Sequence, residues 1–172
     1  MRNTLILAIA VLALGTAACG RKQAAPEVLP PAAEQVPPGE TVAPGDVELV
    51  ELPAAQADLI AKAGSDTVYF GTDKYDLDEA TRATLGAQAR WLVANPNVRA
   101  SIEGHADERG TREYNMALGE RRANAARDYL VSQGVPAARL LVTSWGKERP
   151  VAPGSNEEAW AQNRRAVTVL VR

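Results

Sequence analysis

One cysteine and one histidine occur in 172 residues, and no aromatic side chain precedes Tyr69. A single thiol, Cys19, excludes an intrachain disulfide, and its isolation points to a modified or reactive group. With His105 as the only imidazole, zinc and iron motifs built on paired His or Cys ligands are absent, so no metal or cofactor is expected. No serine occupies a G-x-S-x-G elbow, which leaves nucleophilic catalysis without a sequence signature. The formal net charge of −2 lacks the excess of cations that a general nucleic-acid binder needs.

Proline is unevenly spread: seven of eleven lie between Pro26 and Pro53. A stretch rich in Pro, Ala and Glu without aromatics cannot bury enough apolar surface to offset its chain entropy. Residues 19–57 therefore read as a tether, and residues 58–172 as one domain large enough for a small core. Residues 20–57 hold two basic and six acidic side chains, so self-repulsion favours extension. Such a segment reaches between about 35 Å as a coil and on the order of 100 Å as polyproline II.

The opening "MRNTLILAIAVLALGTAAC" has a positive start, an apolar run from Leu5 to Leu14 and small residues before Cys19. That is the layout of a secretory signal over residues 1–18, and the apolar run is too short to span about 30 Å of hydrocarbon. "GTAAC" resembles a bacterial lipobox, with Thr16 where Leu is usual, and implies a lipidated Cys19. Gly20 follows in place of the Asp that marks inner-membrane retention, so the resemblance implies an outer-membrane anchor, with the domain facing the periplasm.

The remainder reads as β-α-β-α-β-α-β, which suggests a sheet with helices packed on it. "DTVYFGT" (Asp66–Thr72) is the first strand, and Asp78 caps a helix whose Leu85, Ala89 and Leu92 share one face. "VRASIEG" is the second strand. A long helix runs from about Thr111 to Ser132 and is ended by Gly134 and Pro136. "RLLVTSWG" is the third strand, "SNEEAWAQNR" a short helix capped by Ser155, and "RAVTVLVR" the last strand.

The charged stretch "GHADERGTREYNMALGERRANAA" (Gly104–Ala126) begins where the second strand hands over to the long helix. Asn115, Leu118 and Arg122 share one helical face. Asp107 suits an ammonium and Arg122 a carboxylate, with Arg109 a second cation in the loop. On spacing alone, a pocket for a small zwitterion and a solvated helix with surface ion pairs worth about 0–1 kcal/mol are both open. His105 fits a structural hydrogen-bonding role, and Arg112, Glu113, Glu120 and Arg127 fit solvated helix surface.

"VYFGTDKYDL", "EGHADERGTREYN", "LGERRANAARDYL", "SWGKERP" and "NRRAV" resemble the OmpA-like family of peptidoglycan-binding domains, over nearly all of residues 68–171. With the lipoprotein signal and tether, the likeness is to the lipid-anchored branch of that family. It implies an α+β, two-layer domain with a small mixed sheet and no enzymatic activity. The implied ligand is the diaminopimelate-bearing stem peptide of peptidoglycan, held by Asp107 and Arg122. Arg109, Asn115, Leu118, Phe70, Gly71 and Thr72 complete the implied pocket. Gly71 is Asp in some relatives, which leaves a backbone N–H as its possible contact; Trp145 replaces a common Tyr, with a packing role expected. The resemblance further implies TolB and other Tol proteins as partners, and a role in linking outer membrane to cell wall during constriction. The alternative is a wall anchor of the same family without a Tol role. A flagellar stator subunit would need a membrane-spanning helix carrying an acid, an outer-membrane barrel would need eight more strands, and a wall hydrolase would need a nucleophile, metal or carboxylate signature.

Overall fold

The computed structural model describes residues 51–172. The signal segment, Cys19 and residues 20–50 of the expected tether lie outside that range. Four α-helices and four strands follow in the order α1 (Pro53–Ala63), β1 (Thr67–Tyr69), α2 (Glu79–Ala94), β2 (Arg99–His105), α3 (Arg112–Ser132), β3 (Leu140–Gly146), α4 (Glu157–Asn163) and β4 (Arg165–Val171), with a 3-10 turn before β3. The sheet order is β1-β4-β2-β3. β4 pairs antiparallel with both β1 and β2, and β2 pairs parallel with β3. The domain is thus α+β with a mixed sheet, as expected.

Local chemistry explains the boundaries. The Asp78 carboxylate accepts from the Thr81 N–H at 2.7 Å and Thr111 caps α3 through the Tyr114 N–H at 3.2 Å, each satisfying a donor that the first turn leaves free. Asn95 and Pro96 end α2, and Gly134, at φ 97°, ends α3. Three expectations need correction. The last helix is capped by Asn156, whose side chain accepts from the Ala159 N–H at 2.9 Å, not by Ser155. The first strand covers only Thr67–Tyr69, because beyond Tyr69 the chain turns into the loop that carries Gly71 and Thr72. The end of the expected tether also belongs to the domain: Pro53 opens α1, Leu52 and Ala55 pack on the core, and Leu59 is buried in it. That helix escapes a composition-based reading because Pro at a first turn starts a helix as readily as it interrupts one. Gln56 fastens it, donating to Asp66 and the Thr168 carbonyl and accepting from the Leu170 N–H, at 2.8 to 2.9 Å.

Alternation along the strands divides the sheet. Ala100, Ile102, Leu140, Ala166 and Leu170 face Leu85, Ala89 and Leu92 of α2 and Ala123, Ala126 and Leu130 of α3, forming one core. Where α3 crosses the end of β2, at Gly119 and Gly104, there is no room for a side chain. A Cβ added to Gly104 would overlap the Gly119 carbonyl, and one added to Gly119 would overlap the Ser144 hydroxyl. That hydroxyl donates to the Met116 carbonyl at 2.7 Å, binding β3 to the same helix. Backbone-to-backbone contact at this crossing fixes where the N-terminal half of α3 lies relative to the end of β2.

Gly104→Ala and Gly119→Ala should each cost about 3 kcal/mol or more, at or beyond the usual range for overpacking, because backbone is what must move. Denaturant unfolding of the full chain measures it; a loss below about 1 kcal/mol would mean that the two elements can separate freely.

Candidate functional site

β2 delivers the chain to the site. After His105 the Ala106 N–H donates to the Gly146 carbonyl at 2.8 Å, so the end of β3 holds the loop that carries Asp107. The next turn passes through Gly110 at φ 85°, and Asn115 closes it, donating to the carbonyls of Arg109 at 2.7 Å and Thr111 at 3.0 Å.

Asp107 is nearly buried yet fully engaged. Its Oδ1 accepts from the Arg109 backbone N–H and from Arg109 Nε, both at 3.1 Å, and its Oδ2 accepts from Arg109 Nη2 at 2.7 Å. Arg164 Nη1 approaches the same Oδ2 at 3.5 Å. Burial alone would raise the pKa of this carboxyl, but the Arg109 bonds outweigh it and hold Asp107 below the usual carboxylate range.

Arg122 is completely buried. Its Nε donates to the Lys74 carbonyl at 2.9 Å, Nη1 to His105 at 2.8 Å and Nη2 to Gly71 at 3.0 Å. Its guanidinium also stands 5.3 Å from the centre of the Phe70 ring. Burial pushes it down to about 10, against the opposing pull of Asp107, so it stays charged at neutral pH. Three carbonyl bonds leave two of the five guanidinium hydrogens for another acceptor. The surface-ion-pair alternative for this helix face is therefore wrong at Arg122, Asn115 and Leu118, all of which are buried.

An open cavity of about 260 Å³ is lined by Thr72, Asp73, Asp107, Arg109, Gly110 and Tyr114. Of the eight expected pocket residues, Thr72, Asp107 and Arg109 line it. Arg109 Nη2 also reaches the Thr72 hydroxyl at 3.4 Å. Arg122, Asn115, Leu118 and Phe70 are buried and do not line it; Gly71 gives its carbonyl to Arg122 and, with Phe70, lines a separate cavity. Four residues were missed from sequence: Gly110, Asp73, Tyr114 and Arg164. Asp73 enters the cavity because it takes a left-handed φ of 54°, a conformation no motif announces, and Tyr114 donates to it at 3.3 Å. Arg164 ties the Phe70 carbonyl at 3.0 Å and Glu157 at 2.6 Å to the Asp107 side; two consecutive arginines opening an apolar strand were the available signal. Trp145 does pack, with its indole N–H donating to Glu103 at 2.9 Å and Arg149 stacked at 3.3 Å from its ring centre.

A small mixed sheet backed by helices, with an Asp–Arg cavity where β2 meets α3, defines the class. The OmpA family model matches residues 69–164, and the chain belongs to the OmpA family. It is 55% identical over 118 residues to a peptidoglycan-associated lipoprotein of Rhizobium meliloti, covering 69% of this chain and 66% of that protein, a little under two thirds of its length. It is 57% identical over 99 residues to the protein of the same name from Pseudomonas putida, covering 58% and 59% of the two chains. The crystal structure of the peptidoglycan-associated lipoprotein from Burkholderia pseudomallei superposes with a TM-score of 0.61 at 45% identity, over 62% of this chain and 91% of that one. The C-terminal domain of Helicobacter pylori MotB, at 19% identity and a TM-score of 0.56 over 61% and 83% of the chains, shares the fold.

His105 is buried at the end of β2, but the side-chain hydrogen bond expected of it is not seen at Nδ1 among the described residues. Its Nε2 stands 4.0 Å from Glu103. Burial first, then the charges of Arg165 and Arg149, lower it to about 4. The unfolded chain binds this proton below about pH 6.5, while the folded domain resists it down to about pH 4. The group therefore lowers stability as pH falls through that window, by up to about 3 kcal/mol. Unfolding of His105→Gln against wild type should show a difference that narrows between pH 7 and pH 4; parallel pH profiles would show that the imidazole is not held neutral.

Proposed function

We propose that this chain is an outer-membrane lipoprotein, anchored through Cys19, whose periplasmic domain binds the diaminopimelate-bearing stem peptide of peptidoglycan without catalysis. The observation that carries this reading is the pairing of Asp107, on the cavity wall, with Arg122, a charged guanidinium behind it that keeps hydrogens to donate. A carbon bearing both an amine and a carboxylate needs that pair: acceptors for the ammonium and a planar donor fork for the carboxylate. Membership of the OmpA family and relatives named peptidoglycan-associated lipoprotein support it. The cavity is open enough to admit one such group while the rest of the stem peptide stays outside.

The same reading makes the tether a leash between bilayer and wall. It assigns the chain to the Tol–Pal system, with TolB as partner and outer-membrane constriction at division as the cellular role. The relatives' shared name supports the wall attachment; the Tol partnership rests on resemblance to the lipid-anchored branch of the family.

Purified sacculi should sediment the full-length protein. Asp107→Asn, which keeps the shape and removes the charge, should weaken sedimentation by about tenfold or more, as expected when one partner of a desolvated charge contact is lost. Arg122→Lys should bind more weakly too, once its folding is verified, since an ammonium cannot reproduce the fork. Normal sedimentation of both variants would move the site elsewhere, and loss of sacculus mass would point to catalysis. Mass spectrometry of the native N-terminus should find acyl chains on Cys19; an unmodified Cys19 would remove the anchor.

A further inference from the structure

The place on Asp107 that a ligand's ammonium would take is held by Arg109, whose Nε and Nη2 engage both carboxylate oxygens. We propose that Arg109 is an exchangeable counter-ion of Asp107 and, through that exchange, the residue that makes the site reject a bare amine and accept an amine paired with a carboxylate. This rests on the reading of Asp107 as the ammonium seat.

Three guanidiniums surround one carboxylate, and they differ in freedom. Arg122 is locked to three backbone carbonyls. Arg164 is locked to the Phe70 carbonyl and Glu157 and is 7% exposed at its side chain. Arg109 is 38% exposed and, apart from the long contact to Thr72, holds only Asp107. It alone can let go. A second perch is ready: its guanidinium already lies 4.1 Å from the centre of the Trp160 ring, and that indole is steadied by its N–H donating to Glu108 at 3.1 Å. A cation can move off Asp107 and remain on the aromatic face.

The consequence is a charge rule. When an ammonium takes Asp107, the cluster gains one positive charge and Arg109 loses its bidentate anion, with Asp73 and Glu157 the remaining acids that act on it. A ligand that brings only an amine leaves that excess of positive charge uncompensated. One that brings a carboxylate on the same carbon supplies the missing anion, to Arg122 and to the released Arg109 together. Selectivity thus comes from a repulsion that the wrong ligand uncovers as well as from an attraction that the right one gains. Without Arg109, a bare amine would meet a carboxylate with no competitor.

The test compares two probes with the same amines: meso-diaminopimelate, and 1,5-diaminopentane, which lacks both carboxylates. Isothermal titration of the full-length chain should show a strong preference for meso-diaminopimelate in the wild type. Arg109→Gln should narrow that preference by about tenfold or more, chiefly through tighter binding of the diamine. A preference unchanged or widened in Arg109→Gln overturns the exchange, as does a wild type that binds both probes alike. Asp107→Asn separates this from the underlying reading. Loss of both probes keeps Asp107 as the seat, whereas diaminopimelate binding at wild-type strength removes the seat and the proposed wall-binding site with it.

Discussion

The contact between Gly104 and Gly119 sets the rest of the molecule. A helix normally stands off a sheet by the length of its side chains, but here backbone meets backbone. Bringing α3 this close places Arg122, one turn further along, within reach of the His105 carbonyl at the end of β2. The Asp107 loop is then left with little choice of path, because Ala106 is bound to β3 and Asn115 ties the loop's backbone to α3. The cavity is the space that remains when two elements are pressed together at one end.

Burying a guanidinium is unfavourable unless its donors are matched. Arg122 meets that condition with carbonyl dipoles rather than a salt bridge. Dipoles solvate the charge without cancelling it, so the cation is fixed in position and still demands an anion. Asp107 supplies part of that demand through space, and is itself covered by Arg109 and Arg164. The result is a cluster of three cations, two held rigidly and one movable, set among Asp107, Asp73 and Glu157. That division between locked and mobile cations is the physical content of the site.

Much of the architecture could be read from the chain. Period and punctuation located α2 through Asp78, Leu85, Ala89 and Asn95, and α3 through Thr111 and Gly134, because caps and breakers act locally. What could not be read depended on distant partners. Pro53 looked like tether until Gln56 and Leu59 found β4 and the core. Ser155 and Asn156 are both competent caps, and only the path of the preceding loop decides between them. In the site, Asp107 and Arg122 stood out as opposite charges around a strand-to-helix junction. Asp73 and Arg164 did not, since one depends on a left-handed backbone and the other on a contact 57 residues away in sequence. The burial of Asn115 and Leu118 was equally invisible: spacing gives a face, and only packing says whether that face looks at water.

The way the chain enters the domain has a mechanical meaning. Glu51 bridges Val171, which pairs with Arg99 at the start of β2, and the Leu52 N–H donates to the Leu170 carbonyl. The cavity lies past the other end of β2, about 20 Å away at the rise of a strand. Under the proposed reading, the bilayer pulls at one end of the β2–β4 ladder and the wall at the other. Tension then runs parallel to the strands, so the ladder's hydrogen bonds are loaded together in shear instead of being opened one at a time. A domain stretched between two layers of an envelope is, in this orientation, a strap pulled along its grain.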